Sequence, residues 1–187
     1  MRIISGEFGG LRIKIPKNLP IRPTTDMAKE GVFNTLNNLI NLESINVLDL
    51  FSGSGSLGLE CYSRGSKNIT FVEKNKKCIK QLYSTTKSLN IRAEIILNDV
   101  FKYIRKTSKK FDLVFADPPY DFSEQDYLLL IKEIQKNILR TQESILVLEH
   151  FKKKTFGEIQ GFMFIKNYGD CSFSFINQKS GQKPAFK

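Results

Sequence analysis

Between Asn46 and Glu149 the chain alternates five short apolar runs with stretches of helical spacing. The runs are NVLDLF (46–51), NITFVE (68–73), AEIILN (93–98), FDLVFA (111–116) and SILVLE (144–149). The stretches between them, at 56–65, 75–89, 99–107 and 124–139, carry apolar residues three and four apart. Near-continuous apolar strands that alternate with helices belong in a parallel sheet, because each crossover returns the chain to the same end and lays a helix on one face. The sequence therefore predicts a doubly wound α/β domain. Beyond the fifth run the rule changes, since FMFIKNY (162–168) and CSFSFIN (171–177) are separated only by Gly169-Asp170. So short a connection permits only antiparallel pairing.

Upstream of this unit, RIIS (2–5) and LRIKI (11–15) flank a glycine-rich turn, Gly6 to Gly10, and read as a short β-hairpin set apart from the rest. LPIRPTTD (19–26) is a proline-containing connector. Asp26 reads as the N-cap of a helix running through Val32, Phe33, Leu36 and Leu39. The expected organisation is a hairpin and connector over 1–25, the α/β domain over 26–177, and a flexible basic tail over 178–187.

A net charge of +10 points to an anionic partner, of which nucleic acid is the commonest. The charge is unevenly spread: residues 74–110 hold eleven Lys and Arg against two acids, whereas 111–151 hold three against eight. Lysine-rich surfaces are also simply well solvated, and that reading stays open here. Three cysteines far apart in sequence, Cys61, Cys78 and Cys171, are expected to be buried and reduced. With one histidine, His150, and no cysteine cluster, no metal site is expected. No apolar run reaches membrane-spanning length and MRIISGEFGG lacks the pattern of a signal peptide, so a cytoplasmic protein is expected.

DLFSGSGSLG (49–58) ends the first run and opens a helix. Gly53, Gly55 and Gly58 satisfy G-x-G-x-x-G, and Glu73 ends the second run twenty residues after Gly53. By motif alone this is a dinucleotide fingerprint. S-adenosylmethionine needs the same close backbone approach and a carboxylate for its ribose, without a pyrophosphate. Asp49, a carboxylate inside an apolar strand, is costly to bury without a partner. The cofactor's ammonium, or loop amides, would supply one. Phe51 lies in the same loop, and Asn98 and Asp99 at the tip of the third run are further cofactor-binding candidates, Asp99 doubling as a helix cap.

The fourth run ends in FADPPYDF (115–122). Proline fixes φ, lacks an N–H and restrains the residue before it, so Asp117-Pro118-Pro119 is a stiff corner at a strand tip. With Tyr120 it matches the D-P-P-Y motif of methyltransferases that act on exocyclic amino groups. A ring amine is a poor nucleophile because its lone pair is delocalised. Asp117 and the Pro118 carbonyl, each accepting one N–H, would free that lone pair and align it. Tyr120, and Phe122 as a second wall, would stack on the extruded base.

Taken together, RIISGEFGG, RPTTDMAKEGVFNTL, DLFSGSGSLGLE, DPPY and YGDCSFSF resemble the RsmD family over nearly the full length. The resemblance implies a class I S-adenosylmethionine-dependent methyltransferase fold, Rossmann-like, with a seven-stranded, mostly parallel sheet ending in an antiparallel hairpin. It implies methylation of a guanine N2 in 16S ribosomal RNA, at the position conventionally numbered 966, on the 30S subunit by a monomer. It implies catalytic roles for Asp117, Pro118, Pro119 and Tyr120, and cofactor contacts from Thr24 and Thr25. RNA contacts from Arg12, Lys14, Arg22 and Phe122 follow likewise. The hairpin turn is less basic here than in many relatives, which shifts RNA contact toward residues 74–110 or the tail. An adenine-N6 DNA methyltransferase and a non-catalytic basic RNA-binding module remain the alternatives; a nicotinamide oxidoreductase lacks a catalytic histidine or Tyr-Lys pair.

Overall fold

In the computed structural model the apolar runs become β1 (Asn46–Leu50), β2 (Asn68–Glu73), β3 (Glu94–Leu97), β4 (Leu113–Ala116) and β5 (Ile145–Phe151). The closing pair becomes β6 (Phe162–Tyr168) and β7 (Cys171–Ile176). The structure describes residues 1–16, 19, 21, 24–119, 121–152, 154, 156 and 158–179. The strands make one seven-stranded sheet in the order β3-β2-β1-β4-β5-β7-β6. The first five are parallel, and β7 runs antiparallel to both β5 and β6. The tight β6–β7 turn places Gly169 at φ 61°, the positive φ that two-residue hairpin loops favour.

Among the described residues five helices cover the sheet: α1 (Asp26–Leu36), α2 (Ser56–Ser63), α3 (Lys76–Ser88), α4 (Val100–Lys106) and α5 (Glu124–Asn137). Successive side chains of a strand point to opposite faces. Val47, Phe71, Phe115 and Phe173 therefore join the core under α1, α2 and α3. Leu48, Leu50, Val72, Val114 and Ala116 join the core under α4 and α5. The chain leaves β1 toward the first face and β4 toward the second, so a crevice opens between these neighbouring strands at their carboxyl ends.

The structure corrects two expectations upstream of β1. Thr25, not Asp26, caps α1: its backbone is extended and its hydroxyl accepts the Ala28 N–H at 3.2 Å. Asp26 is already helical, where its charge suits the helix dipole and pairs with Arg2 at 3.0 Å. The helix stops at Leu36, which leaves Leu39 on the surface. Second, residues 1–13 pair through one antiparallel bridge, Arg2 to Arg12, and do not stand apart. Ile3 is fully buried, and Glu60 of α2 accepts the Ile4 and Ser5 N–H groups at 2.8 and 3.0 Å. Glu60 is itself fully buried and is paired with Arg64 (2.8 Å) and the buried Lys29 of α1 (3.5 Å). Lys29 Nζ also donates to the Arg2 carbonyl and to Ser56 Oγ. A buried carboxylate needs such partners, and here they bolt the N-terminal segment, α1 and α2 together. The cysteines are buried and free, as expected. Among the described residues no helix is long and apolar enough to cross a membrane.

Candidate active site

Strand register brings three carboxylates to one place. Asp49 pairs with Phe71 of β2 on one side and Phe115 of β4 on the other. Glu73 and Asp117 lie two residues beyond those partners, so strand alternation aims all three toward the α1–α3 face. Glu73 and Asp117 thus flank β1 at the rim, and Asp49 sits about 7 Å deeper at ~3.3 Å per residue. All three line a cavity of about 460 Å³, with Thr24, Phe51, Gly53, Lys74, Pro118 and Pro119 also on its wall. That size is in the range of small-molecule sites. Among the described residues no three acidic, histidine or cysteine side chains are grouped to hold a metal ion. Carboxylates spread along a cavity suit an extended ligand with separate polar ends.

Asp49 is 4% exposed, and its Oδ2 accepts the Gly58 N–H at 3.0 Å. Burial pushes its pKa up to about 8; the Gly58 hydrogen bond opposes this, and the charges of Asp117 and Glu73 add to it. A deep carboxylate that holds its proton near neutral pH marks a place where a cation would be welcome. Glu73 bridges two loops: one oxygen accepts the Gly53 N–H (2.9 Å) and the other the Asn75 N–H (2.8 Å). Each oxygen keeps a second lone pair for a ligand hydroxyl. Only the first of the three glycines faces the cavity. A Cβ on Gly55 would lie 2.4 Å from Leu82, and one on Gly58 2.4 Å from Phe71, so these two let α2 pack closely on β2 and α3.

At the tip of β4, Pro118 is buried and the Pro119 carbonyl accepts the Phe122 N–H at 3.1 Å. Phe122 is not a free wall for a base: it stacks on Phe101 (centroids 6.3 Å) and meets Phe51 (5.7 Å) and Tyr127 (5.8 Å) edge-on. Its carbonyl accepts Lys154 Nζ at 3.2 Å. Phe51 has a left-handed backbone, φ 55°, unusual for a bulky residue and common at functional sites. The ring pair Phe51–Phe122 ties the loop after β1 to the loop after β4.

Of the residues singled out in the sequence, Thr24, Asp49, Phe51, Gly53, Glu73, Asp117, Pro118 and Pro119 meet at the cavity. Thr25, Asn98 and Asp99 lie outside its lining: Thr25 caps α1, Asn98 Oδ1 accepts the Asp99 N–H (2.9 Å), and Asp99 caps α4 by accepting the Lys102 N–H (3.1 Å). Arg12 and Lys14 are exposed away from the cavity, the Lys14 carbonyl accepting from Gln81 of α3 at 3.3 Å. Arg22 and Tyr120 lie outside the described residues. His150 is buried, its Nε2 2.8 Å from Ser174 Oγ, which makes it structural. Lys74 and Asn75 of the wall directly follow Glu73 and Cys78 lies in the first turn of α3 beyond them, and their position after a strand-end carboxylate is the available signal. Ile21 carries no such signal, yet its side chain comes within 3.1 Å of where a Gly53 Cβ would stand.

Comparison with known proteins places this geometry in a family. The Ribosomal RNA small subunit methyltransferase D of Buchnera aphidicola is 34% identical over 178 residues, covering 87% of this chain and 92% of its own. That of Haemophilus influenzae is 37% identical over 128 residues, 66% of this chain and 65% of its own. The structure of the Escherichia coli protein yhhF superposes with a TM-score of 0.81 at 25% identity, covering 97% of this chain and 99% of that one. The model of the family described as conserved hypothetical protein 95, the RsmD family, matches residues 1–177, and the chain belongs to that family.

Proposed function

We propose that this chain is an S-adenosylmethionine-dependent methyltransferase acting on the exocyclic N2 of a guanine in small-subunit ribosomal RNA. The observation that carries this is the single cavity in which Asp49, Glu73 and the Asp117-Pro118-Pro119 corner meet. The residues fit the cofactor: Asp49 is the deep anion for its ammonium, Gly53 exposes backbone on the wall, and Glu73 retains lone pairs for ribose hydroxyls. When bound, the cofactor supplies a methyl group on a sulfonium that leaves as a neutral thioether.

The remaining work belongs to the chain. Asp117 and the Pro118 carbonyl accept the two amine hydrogens, concentrate the nitrogen lone pair and hold it on line. The proton released as the N–C bond forms passes to Asp117 or to solvent. Rigidity makes this effective, and the corner is stiffened by two prolines in sequence and by the Phe122 N–H held on the Pro119 carbonyl in space. The substrate is read as the assembled or assembling small subunit, approached by a monomer, and the target as the guanine equivalent to position 966.

The test is transfer of labelled methyl from S-adenosylmethionine to small subunits from a strain lacking this gene, followed by mapping of the nucleotide. One N2-methylguanine is expected, lost in Asp117→Ala while cofactor binding is kept. Label on duplex DNA and none on ribosomal particles would reverse the assignment in favour of a DNA adenine enzyme.

A further inference from the structure

The cavity is acidic, yet the protein is strongly basic, and the structure shows where the opposite charge is gathered. Residues 74–110 carry eleven Lys and Arg against Glu94 and Asp99, a surplus of nine in a chain whose net charge is +10. In the fold this segment is α3, β3 and α4, and β3 is an edge strand. The two helices lie on opposite faces of the sheet and flank that edge.

Their exposed sides are basic in register. On α3, Lys76, Lys80, Tyr83 and Lys87 recur at steps of four, three and four, so they form one stripe about 16 Å long at ~1.5 Å per residue. All four are exposed, Tyr83 by 55%, and its hydroxyl reaches across to the Ile95 carbonyl of β3 at 3.2 Å. On α4, Lys102, Arg105 and Lys106 are exposed. Among the described residues only Lys109 of the eleven has an ion-pair partner, Glu94 at 2.6 Å. The α3 stripe begins two residues beyond Lys74, which lines the cavity, so the basic track starts at the cavity mouth and leads away down the β3 edge. Beside α4 on the same face and farther from the β3 edge, α5 belongs to the acid-rich segment. A polyanion is therefore guided to one side of the molecule.

We propose that the phosphate backbone of the RNA flanking the target nucleotide runs along this β3 edge, with the Lys76–Lys80–Lys87 stripe as its main contact and Tyr83 as a stacking surface. The inference rests on the RNA-methyltransferase reading above and adds where the substrate lies. Each phosphate contact to a single strand contributes ~0.7 to the salt slope of binding. Removing three contacts should lower that slope by ~2, which at 0.15 M salt corresponds to ~50-fold weaker binding.

The experiment compares two triple variants that remove the same charge: K76Q/K80Q/K87Q on the track, and K132Q/K136Q/K152Q elsewhere. Binding of both and of the native protein to a small-subunit RNA fragment is measured by fluorescence anisotropy over 0.05–0.3 M salt, about a sixfold range that resolves such slopes, with melting curves confirming folding. The track triple should lose the slope and affinity stated, and the control triple should change little. Equal losses in the two would mean that only net charge matters, and no loss in the track triple would mean that its lysines are merely solvated; either overturns the proposal. Because this readout is binding, it stands apart from methyl transfer. Failure of the native protein to methylate RNA would sink the functional reading and leave the track result to be judged on its own.

Discussion

Replacing Asp49 by asparagine should stabilise the ligand-free protein at alkaline pH while weakening its hold on the cofactor. The folded-state pKa of Asp49 is raised to about 8 from an ordinary 3.8, chiefly by burial. The folded protein therefore keeps a proton that the unfolded chain has lost. Stability from this group is fully present below pH ~3.8 and falls as pH rises, until the folded pKa is passed. Each pH unit well inside that window costs ~1.4 kcal/mol and the slope fades near the folded pKa, so going from pH 6 to pH 8 costs native stability about 2 kcal/mol. The neutral amide of Asp49→Asn carries no such dependence, and its carbonyl oxygen can still accept the Gly58 N–H. In a domain of this size ~1 kcal/mol moves the midpoint by about 2–4 °C. The variant's melting temperature relative to the native protein should thus rise by roughly 5–10 °C between pH 6 and pH 8.5.

The cofactor arm has the opposite sign. At pH 7 about nine in ten Asp49 carboxyls are protonated if the pKa is near 8, so pairing with the cofactor's ammonium expels close to one proton. Titration calorimetry in buffers of different ionisation enthalpy reads that proton directly. The cofactor's own amine titrates equally against both proteins, so the difference between them isolates Asp49. A stability offset that does not change with pH, or identical proton release from the two proteins, would refute the assignment of Asp49 as the buried, cation-seeking acid.

Three further substitutions test other parts of the framework. Gly58→Ala drives a Cβ to within 2.4 Å of Phe71 and 3.1 Å of Asp49 Oδ2, and should cost ~1–3 kcal/mol in urea denaturation. Glu60→Gln leaves the buried Lys29 without its counter-charge and should destabilise by ~3–5 kcal/mol, with early proteolysis of the N-terminal segment. Phe122→Ala removes the ring that anchors the loop after the corner to Phe51 and Phe101 and should lower kcat by about tenfold or more with cofactor affinity nearly unchanged, since a slightly misplaced acceptor pair loses alignment; a loss confined to cofactor binding would contradict that role.

The sheet was legible because its signal is long-range and redundant: five apolar runs, regular spacing and one tight connection all require the same topology. The cavity was legible where chemistry is written in unusual residues, a carboxylate inside a strand or two prolines at its end. It was not legible where a residue's role depends on what packs against it. Phe122 looks like a base-stacking ring in sequence and is taken up by Phe51, Phe101 and Tyr127 in space. Asp99 and Thr25 carry polar groups at plausible positions, but helix caps claim them first, because an uncapped helix end leaves N–H groups unsatisfied. Glu60 and Lys29 carry no mark in the sequence, since nothing local distinguishes a buried ion pair from a solvated one.

The same logic accounts for the choice of proline at the corner. β4 stops at Ala116, and the chain must then turn within the wall of a cavity, where Pro118 is buried. Any other residue there would bury a backbone N–H needing an acceptor. Proline removes that donor, so no N–H from this position needs an acceptor in the wall of the cavity. It also restrains Asp117 to extended backbone, which continues the alternation of β4 and aims the carboxylate at the face shared with Asp49 and Glu73. One residue type thus sets the direction of the acid, removes a buried donor and fixes the turn.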